Sequence, residues 1–136
     1  MQASLRALAL AGTLTVVATA SGCSAQGNPE ADAAGSAAVS FGAEARSDAD
    51  AACALLAPET AKETGRDSSS CADGLADTDL PPAGRLREVE VYGLDAVAHL
   101  DADTVFLARF DDGWKVTAAG CTARGDAPYE CEFKGG

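Results

Sequence analysis

Hydrophobic and polar positions divide the chain into stretches with different periods. Residues 7–19 form an apolar run without a charge. Residues 24–35 are mostly Ala, Gly, Ser, Asn and Pro with two acids, Glu30 and Asp32, a composition that buries too little surface to order itself. From 36 to 46, Ala37, Ala38, Phe41 and Ala45 recur at spacings of three and four, which predicts a short amphipathic helix. Ser47 or Asp48 supplies an N-cap for a second helix over 49–56, and Pro58 opens a third turn ending at Gly65. Ser68-Ser69-Ser70 reads as loop, and 71–76 as one helical turn capped by Ser70. Beyond Pro81-Pro82 the period changes to two. Residues 88–92, 96–100, 104–110 and 114–121 are expected to form four antiparallel strands in a meander. The predicted class is α+β, with N-terminal helices packed on a curved antiparallel sheet of about four strands.

The apolar run follows one basic residue, Arg6, and leads into Ser21, Gly22 and a polar stretch rather than a basic stop-transfer flank. This is the layout of a signal peptide over residues 1–22. Its last residues, Ala20-Ser21-Gly22-Cys23, resemble the bacterial lipobox, in which small residues precede a cysteine that is diacylated and becomes the new N-terminus. Ala20 stands where leucine is usual, which leaves ordinary secretion with cleavage near Ala20 as the alternative. Two acyl chains on Cys23 give stable anchoring, so the chain is expected on the extracytoplasmic face of a cell membrane. Residues 23–35 then form the lipidated cysteine and a flexible tether, with an r.m.s. reach of roughly 20 Å for a dozen residues. Residues 36–136 form one domain.

Removal of residues 1–22 leaves 114 of the 136 residues, enough for one core. The formal charge of −11 becomes −12 when Arg6 leaves, which argues against nucleic acid as a partner, because phosphate backbones require a basic footprint. The acidity is read as solubility, and the Ala, Gly, Asp and Arg bias as that of a GC-rich genome such as an actinobacterium's. Besides Cys23 there are four cysteines, Cys53, Cys71, Cys121 and Cys131, an even number suited to an oxidising compartment. Three pairings are open. Proximity favours Cys53 with Cys71 and Cys121 with Cys131, each closing a loop worth roughly 3 kcal/mol. Zinc is disfavoured by the lack of paired CxxC spacing and by a single histidine, and no cofactor is expected.

Asp112-Gly113 predicts a two-residue hairpin turn. It pairs Phe110 with Lys115, Arg109 with Val116 and Leu107 with Ala118. A three-residue loop at 101–103 pairs His99 with Val105 and Val97 with Leu107. One face then carries Val97, His99, Val105, Leu107, Arg109, Trp114 and Val116, and the other Phe106, Ala108, Phe110 and Thr117. With both faces largely apolar, the central strand is expected to be covered on both sides or curved around a pocket.

Helices followed by a meander that ends in Phe110-Asp111-Asp112-Gly113-Trp114-Lys115-Val116 resemble the nuclear transport factor 2-like fold, of the SnoaL type. The segments Cys53-Ala54-Leu55-Leu56-Ala57-Pro58 and Trp114-Lys115-Val116-Thr117-Ala118-Ala119-Gly120-Cys121 resemble small uncharacterised actinobacterial lipoproteins. The resemblance covers residues 36–121. It implies a cone of sheet and helices, a scaffold that hosts isomerases, cyclases and dehydratases as well as binding modules without catalysis.

Three residues are candidates for ligand binding: His99, Arg109 and Trp114. His99 is the only histidine and could transfer a proton, but Arg109 lies four residues farther along the facing strand, roughly 14 Å away. Trp114 on the apolar face is read first as core. Asp101, Asp103, Asp111 and Asp112 suggest calcium at first sight, yet they belong to two hairpin loops and lack the glycine and terminal glutamate of an EF-hand, so no metal site is expected. No Gly-x-Ser-x-Gly elbow or phosphate loop occurs. The expectation is a non-catalytic module that binds a small ligand or an envelope protein; a structural envelope protein or an isomerase-like or dehydratase-like enzyme is the alternative. Cys23→Ala is expected to move the chain from the membrane fraction to the soluble fraction while leaving it folded, and mass spectrometry of the wild-type chain to find a diacylated Cys23 at its N-terminus. A soluble product with an unmodified Cys23 contradicts the assignment.

Overall fold

A computed structural model describes residues 27–135. The expected signal peptide and the expected lipidation site at Cys23 lie outside the described residues. Four helices, α1 (Pro29–Ser47), α2 (Ala49–Leu55), α3 (Pro58–Thr64) and α4 (Cys71–Ala76), precede five strands, β1 (Leu86–Tyr92), β2 (Asp95–Leu100), β3 (Thr104–Phe110), β4 (Gly113–Arg124) and β5 (Ala127–Lys134). The strands form one antiparallel sheet in chain order. The class is α+β. No helix among the described residues is long and apolar enough to cross a membrane.

The first correction is at α1, which starts at Pro29 and takes in seven of the residues expected to be tether. Asn28 accepts from the N–H groups of Glu30 and Ala31 at 3.1 and 3.4 Å, Pro29 occupies the first turn, and Glu30 and Asp32 place negative charge at the positive end of the helix dipole. Ala34, Gly35, Ala38 and Phe41 are buried, at the three- and four-residue spacing of one helix face. Gly35 lies close under β1: a Cβ there would stand 2.7 Å from the end of the Leu86 side chain, which would have to move. Asp48 ends α1 and caps α2, accepting from Ala51 N–H at 3.0 Å. Ser70 caps α4 through Asp73 N–H at 3.1 Å, and a disulfide between Cys53 and Cys71 ties α4 to α2.

The second correction is the strand count, five in place of four. Residues 127–134 alternate as strands do, and Pro128 is tolerated because β5 is an edge strand. Gly125, at φ 63°, makes the turn into it, and the second disulfide joins the directly paired Cys121 and Cys131 of β4 and β5.

The third correction is register. The β3–β4 turn is Asp111-Asp112, since Phe110 pairs with Gly113 and Arg109 with Trp114, a shift of two residues that leaves Trp114, Val116 and Thr117 on their expected faces, while Ala118, expected opposite Leu107, pairs with Phe106 and lies on the other face. Between β2 and β3 the shift is one residue. His99 pairs with Thr104 and Val97 with Phe106, because Leu100 N–H donates to the Asp103 carbonyl at 2.8 Å and shortens the loop by one residue. A one-residue slip turns a whole strand over. The face packed on the helices therefore carries Ala96, Ala98, Leu100, Val105, Leu107, Trp114 and Val116, all buried, together with Phe41 and Leu75 of the helices. Val97 and His99 move to the other face, beside Phe106, Ala108 and Phe110, all at least partly exposed. Of the two arrangements expected for that face, a second covering layer is not found among the described residues.

The β2–β3 loop is braced by two carboxylates. Asp103 accepts from Gly120 and Cys121 N–H at 3.2 and 3.0 Å, and its burial pushes its carboxyl up against the pull of those bonds. Asp101 accepts from Arg85 N–H at 2.9 Å and pairs with the Arg87 guanidinium, and these contacts, the Arg85 bond first, hold its carboxyl below the usual range. A depressed acid contributes stability above its unfolded value and loses it as pH falls through the folded one. Asp101→Asn is therefore expected to destabilise the chain by an amount that is constant above roughly pH 5 and shrinks below about pH 3.9, read by urea unfolding across that range. A difference that widens in acid contradicts the assignment.

Candidate functional site

β5 pairs with β4 only from Ala118 onward, so residues 113–117 of β4 would leave their outer edge open. The chain closes it from the helical half. Leu56 forms a parallel bridge with Val116, Ala57 N–H donates to the Val116 carbonyl at 2.8 Å, and Lys115 Nζ donates to the Ala54 carbonyl at 2.9 Å. The next carbonyl, that of Thr117, accepts both Thr60 Oγ1 at 2.9 Å and Gly135 N–H at 3.1 Å. Thr117 sits at a bulge, because Leu107 pairs with Val116 while Phe106 pairs with Ala118. Such an extra residue bends the strand and re-aims its groups.

The bend leaves a cleft of about 550 Å³ between the start of α3 and the less buried face of β3 and β4. Its walls are Ala57 and Pro58 on one side and Phe106, Phe110 and Ala118 on the other, with Thr60 and Thr117 at the floor and Glu59 and Lys134 among the lining side chains. Phe106 is held by an edge-on contact with Tyr129 at 5.2 Å between ring centres. Glu59 lies 3.8 Å from Lys62, whereas Lys134 makes none of the ion pairs found among the described residues. An apolar hollow with a few polar groups is the usual composition of a small-molecule site.

The three residues singled out in the sequence do not meet there. Trp114 is buried in the core, and its Nε1 donates to Glu30 Oε2 at 3.0 Å. Arg109 Nε lies 3.6 Å from the same oxygen. These two side chains fasten the first turn of α1 to the ends of β3 and β4. His99 is on the opposite face of the sheet, turned there by the one-residue slip, with Nε2 3.7 Å from Glu90 Oε2 and Nδ1 3.4 Å from Thr104 Oγ1. The expected apolar face bordered by both His99 and Arg109 does not exist. The aspartates also separate: Asp101 and Asp103 occupy the β2–β3 loop, Asp111 and Asp112 the β3–β4 turn at the other end of the sheet. Among the described residues no group of three or more His, Cys, Asp and Glu side chains is placed to hold a metal ion.

The cleft's aromatic side had a signal in the sequence, since Phe106, Phe110 and Thr117 were expected to share a face. Its other wall had none, because the approach of Pro58 and Thr60 to β4 is a long-range contact between halves. The chain matches no protein-family model, no curated protein and no solved structure.

The Glu30 junction generates a direct test. Glu30→Ala leaves the buried indole N–H without its partner and is expected to cost roughly 1 kcal/mol, the carboxylate being half-exposed. Urea unfolding of the wild type, Glu30→Ala, Trp114→Phe and the double variant closes the cycle. Most of the cost of Glu30→Ala should vanish when it is made in the Trp114→Phe background, which has no indole N–H to strand. Strict additivity contradicts the contact.

Proposed function

We propose that this chain is a lipid-anchored extracytoplasmic module that binds a small, largely apolar ligand with an anionic end, and that it performs no catalysis on it. The observation that carries the reading is the cleft itself, apolar along both walls, with Lys134 among its lining residues. An apolar body gains by leaving water against Phe106 and Phe110, and an anionic end gains from a nearby cation whose attraction is modest in an open, hydrated site. Among the described residues that line the cleft there is no histidine or cysteine and Glu59 is the one carboxylate side chain, which supports binding over proton transfer or nucleophilic chemistry.

The accompanying fold reading is a reduced nuclear transport factor 2-like cone belonging to a small actinobacterial lipoprotein. Four helices ahead of an antiparallel meander support it. The cleft opens on the face away from α1, whereas the helix-facing side is filled by the core, so the ligand seat would differ from the interior of such a cone. Anchoring rests on Arg6, the apolar run and the small residues before Cys23.

The test uses 1-anilinonaphthalene-8-sulfonate, an apolar fluorophore with one anionic group. The folded wild-type chain is expected to enhance its fluorescence saturably, Ala118→Trp to weaken binding at least tenfold by filling the cleft, and Lys134→Ala to weaken it severalfold, with circular dichroism confirming that each variant is folded. Binding unchanged by Ala118→Trp places the dye elsewhere and overturns the proposal.

A further inference from the structure

The start of α1 and two hairpin tips share one end of the sheet. Glu30, in the first turn of α1, bonds Trp114 and lies beside Arg109, and Arg109 N–H donates to the Leu94 carbonyl at 2.8 Å. In an antiparallel meander the β1–β2 and β3–β4 turns necessarily fall at the same end. That end exposes Tyr92 (60%), Leu94 (69%) and Phe110 (37%), three of the six large apolar side chains most exposed among the described residues. The other three, Val39, Leu86 and Tyr129, belong to the middle of α1, to the opposite end of β1 and to β5.

The same end is the one nearest Cys23 along the chain. Pro29, where the helix begins, follows Cys23 by six residues, which span at most about 20 Å in any conformation. Because α1 starts earlier than its composition suggests, the dozen-residue tether that would lift the domain away from a bilayer is not there. We propose that, with the lipid on Cys23 that the functional reading also assumes, the Tyr92-Gly93-Leu94 turn inserts into the headgroup layer of the membrane. A leucine and a tyrosine at one turn suit that layer, where apolar bodies sink and a phenol stays hydrated.

Charge sets the kind of lipid. Glu30 is answered by Arg109 and Asp112 by Lys115 at 3.2 Å, while Asp95 and Asp111 at the same end form no ion pair within 4.0 Å among the described residues. The docking is apolar insertion opposed by anionic headgroups, stronger on zwitterionic lipid and weakened as anionic lipid is added.

The experiment reads depth. Full-length Leu94→Trp, processed in its host, is reconstituted into phosphatidylcholine vesicles containing lipids brominated close to the headgroup, with Tyr129→Trp as the control and Trp114 as a buried background common to both. The indole introduced at position 94 is expected to be quenched by half or more, the one at position 129 not, and the quenching at 94 to fall when phosphatidylglycerol replaces part of the phosphatidylcholine. Mass spectrometry of the same vesicle-bound chain reports the lipid on Cys23. A lipidated chain with equal, weak quenching at 94 and 129 overturns the docking and leaves the anchor standing. A chain without lipid overturns both. An indole at 94 that is solvent-exposed on vesicles but shielded on intact cells assigns this end to a protein partner and equally overturns lipid docking.

Discussion

The arrangement depends on how the outer edge of β4 is closed where β5 stops. Two consecutive carbonyls, those of Val116 and Thr117, accept Ala57 N–H, Thr60 Oγ1 and Gly135 N–H, so the α2–α3 junction completes a sheet edge that would otherwise be unpaired. Unpaired sheet edges invite association with other chains, and a buried carbonyl left without a donor costs about 1–3 kcal/mol. The disulfides do not do this job. Cys53–Cys71 lies within the helical half and Cys121–Cys131 within the sheet, so neither bond crosses between the halves. What crosses is this edge closure, the Glu30 contacts with Trp114 and Arg109, and the apolar layer around Phe41, Leu107 and Val116.

The cleft follows from the same closure. The bulge at Thr117 turns a carbonyl toward α3, and bringing α3 to that carbonyl sets Pro58 and Ala57 opposite Phe106, Phe110 and Ala118. The hydrogen bonds of the edge use the backbone carbonyls of Val116 and Thr117 and none of the Ala118 side chain, so a larger side chain at 118 is expected to fill the gap without removing them. The two faces of the sheet thus have different tasks. One is a solid core under the helices, and the other keeps aromatic side chains partly in water.

Local rules placed much of this in the sequence, and long-range geometry accounts for what they missed. The caps at Asp48 and Ser70, the helix-opening Pro58 and both disulfide pairings were legible because each depends on neighbours in the chain or on cysteine spacing. The start of α1 was missed because alanine, glycine and serine resemble linker, although Asn28-Pro29-Glu30 is itself a start signal; the small residues Ala34, Gly35 and Ala38 are buried on one face of the helix. β5 was not among the expected strands, although Tyr129, Cys131 and Phe133 alternate with charged residues and Pro128 is tolerated at an edge. The face expected for His99 differed through one residue of loop length. The alternation along β2 was correct, but its phase was set by a backbone bond from Leu100 to Asp103 that no pattern reveals.

The claim that most needs a direct measurement is that the cleft is occupied in the organism. Native mass spectrometry of the chain purified from its own host, alongside Ala118→Trp prepared in the same way, compares the intact masses without unfolding either. The account predicts a discrete added mass on the wild-type chain, beyond its lipid, that is lost on gentle activation and is missing from the variant. A wild-type chain that carries nothing, or an added mass that persists in Ala118→Trp, contradicts it.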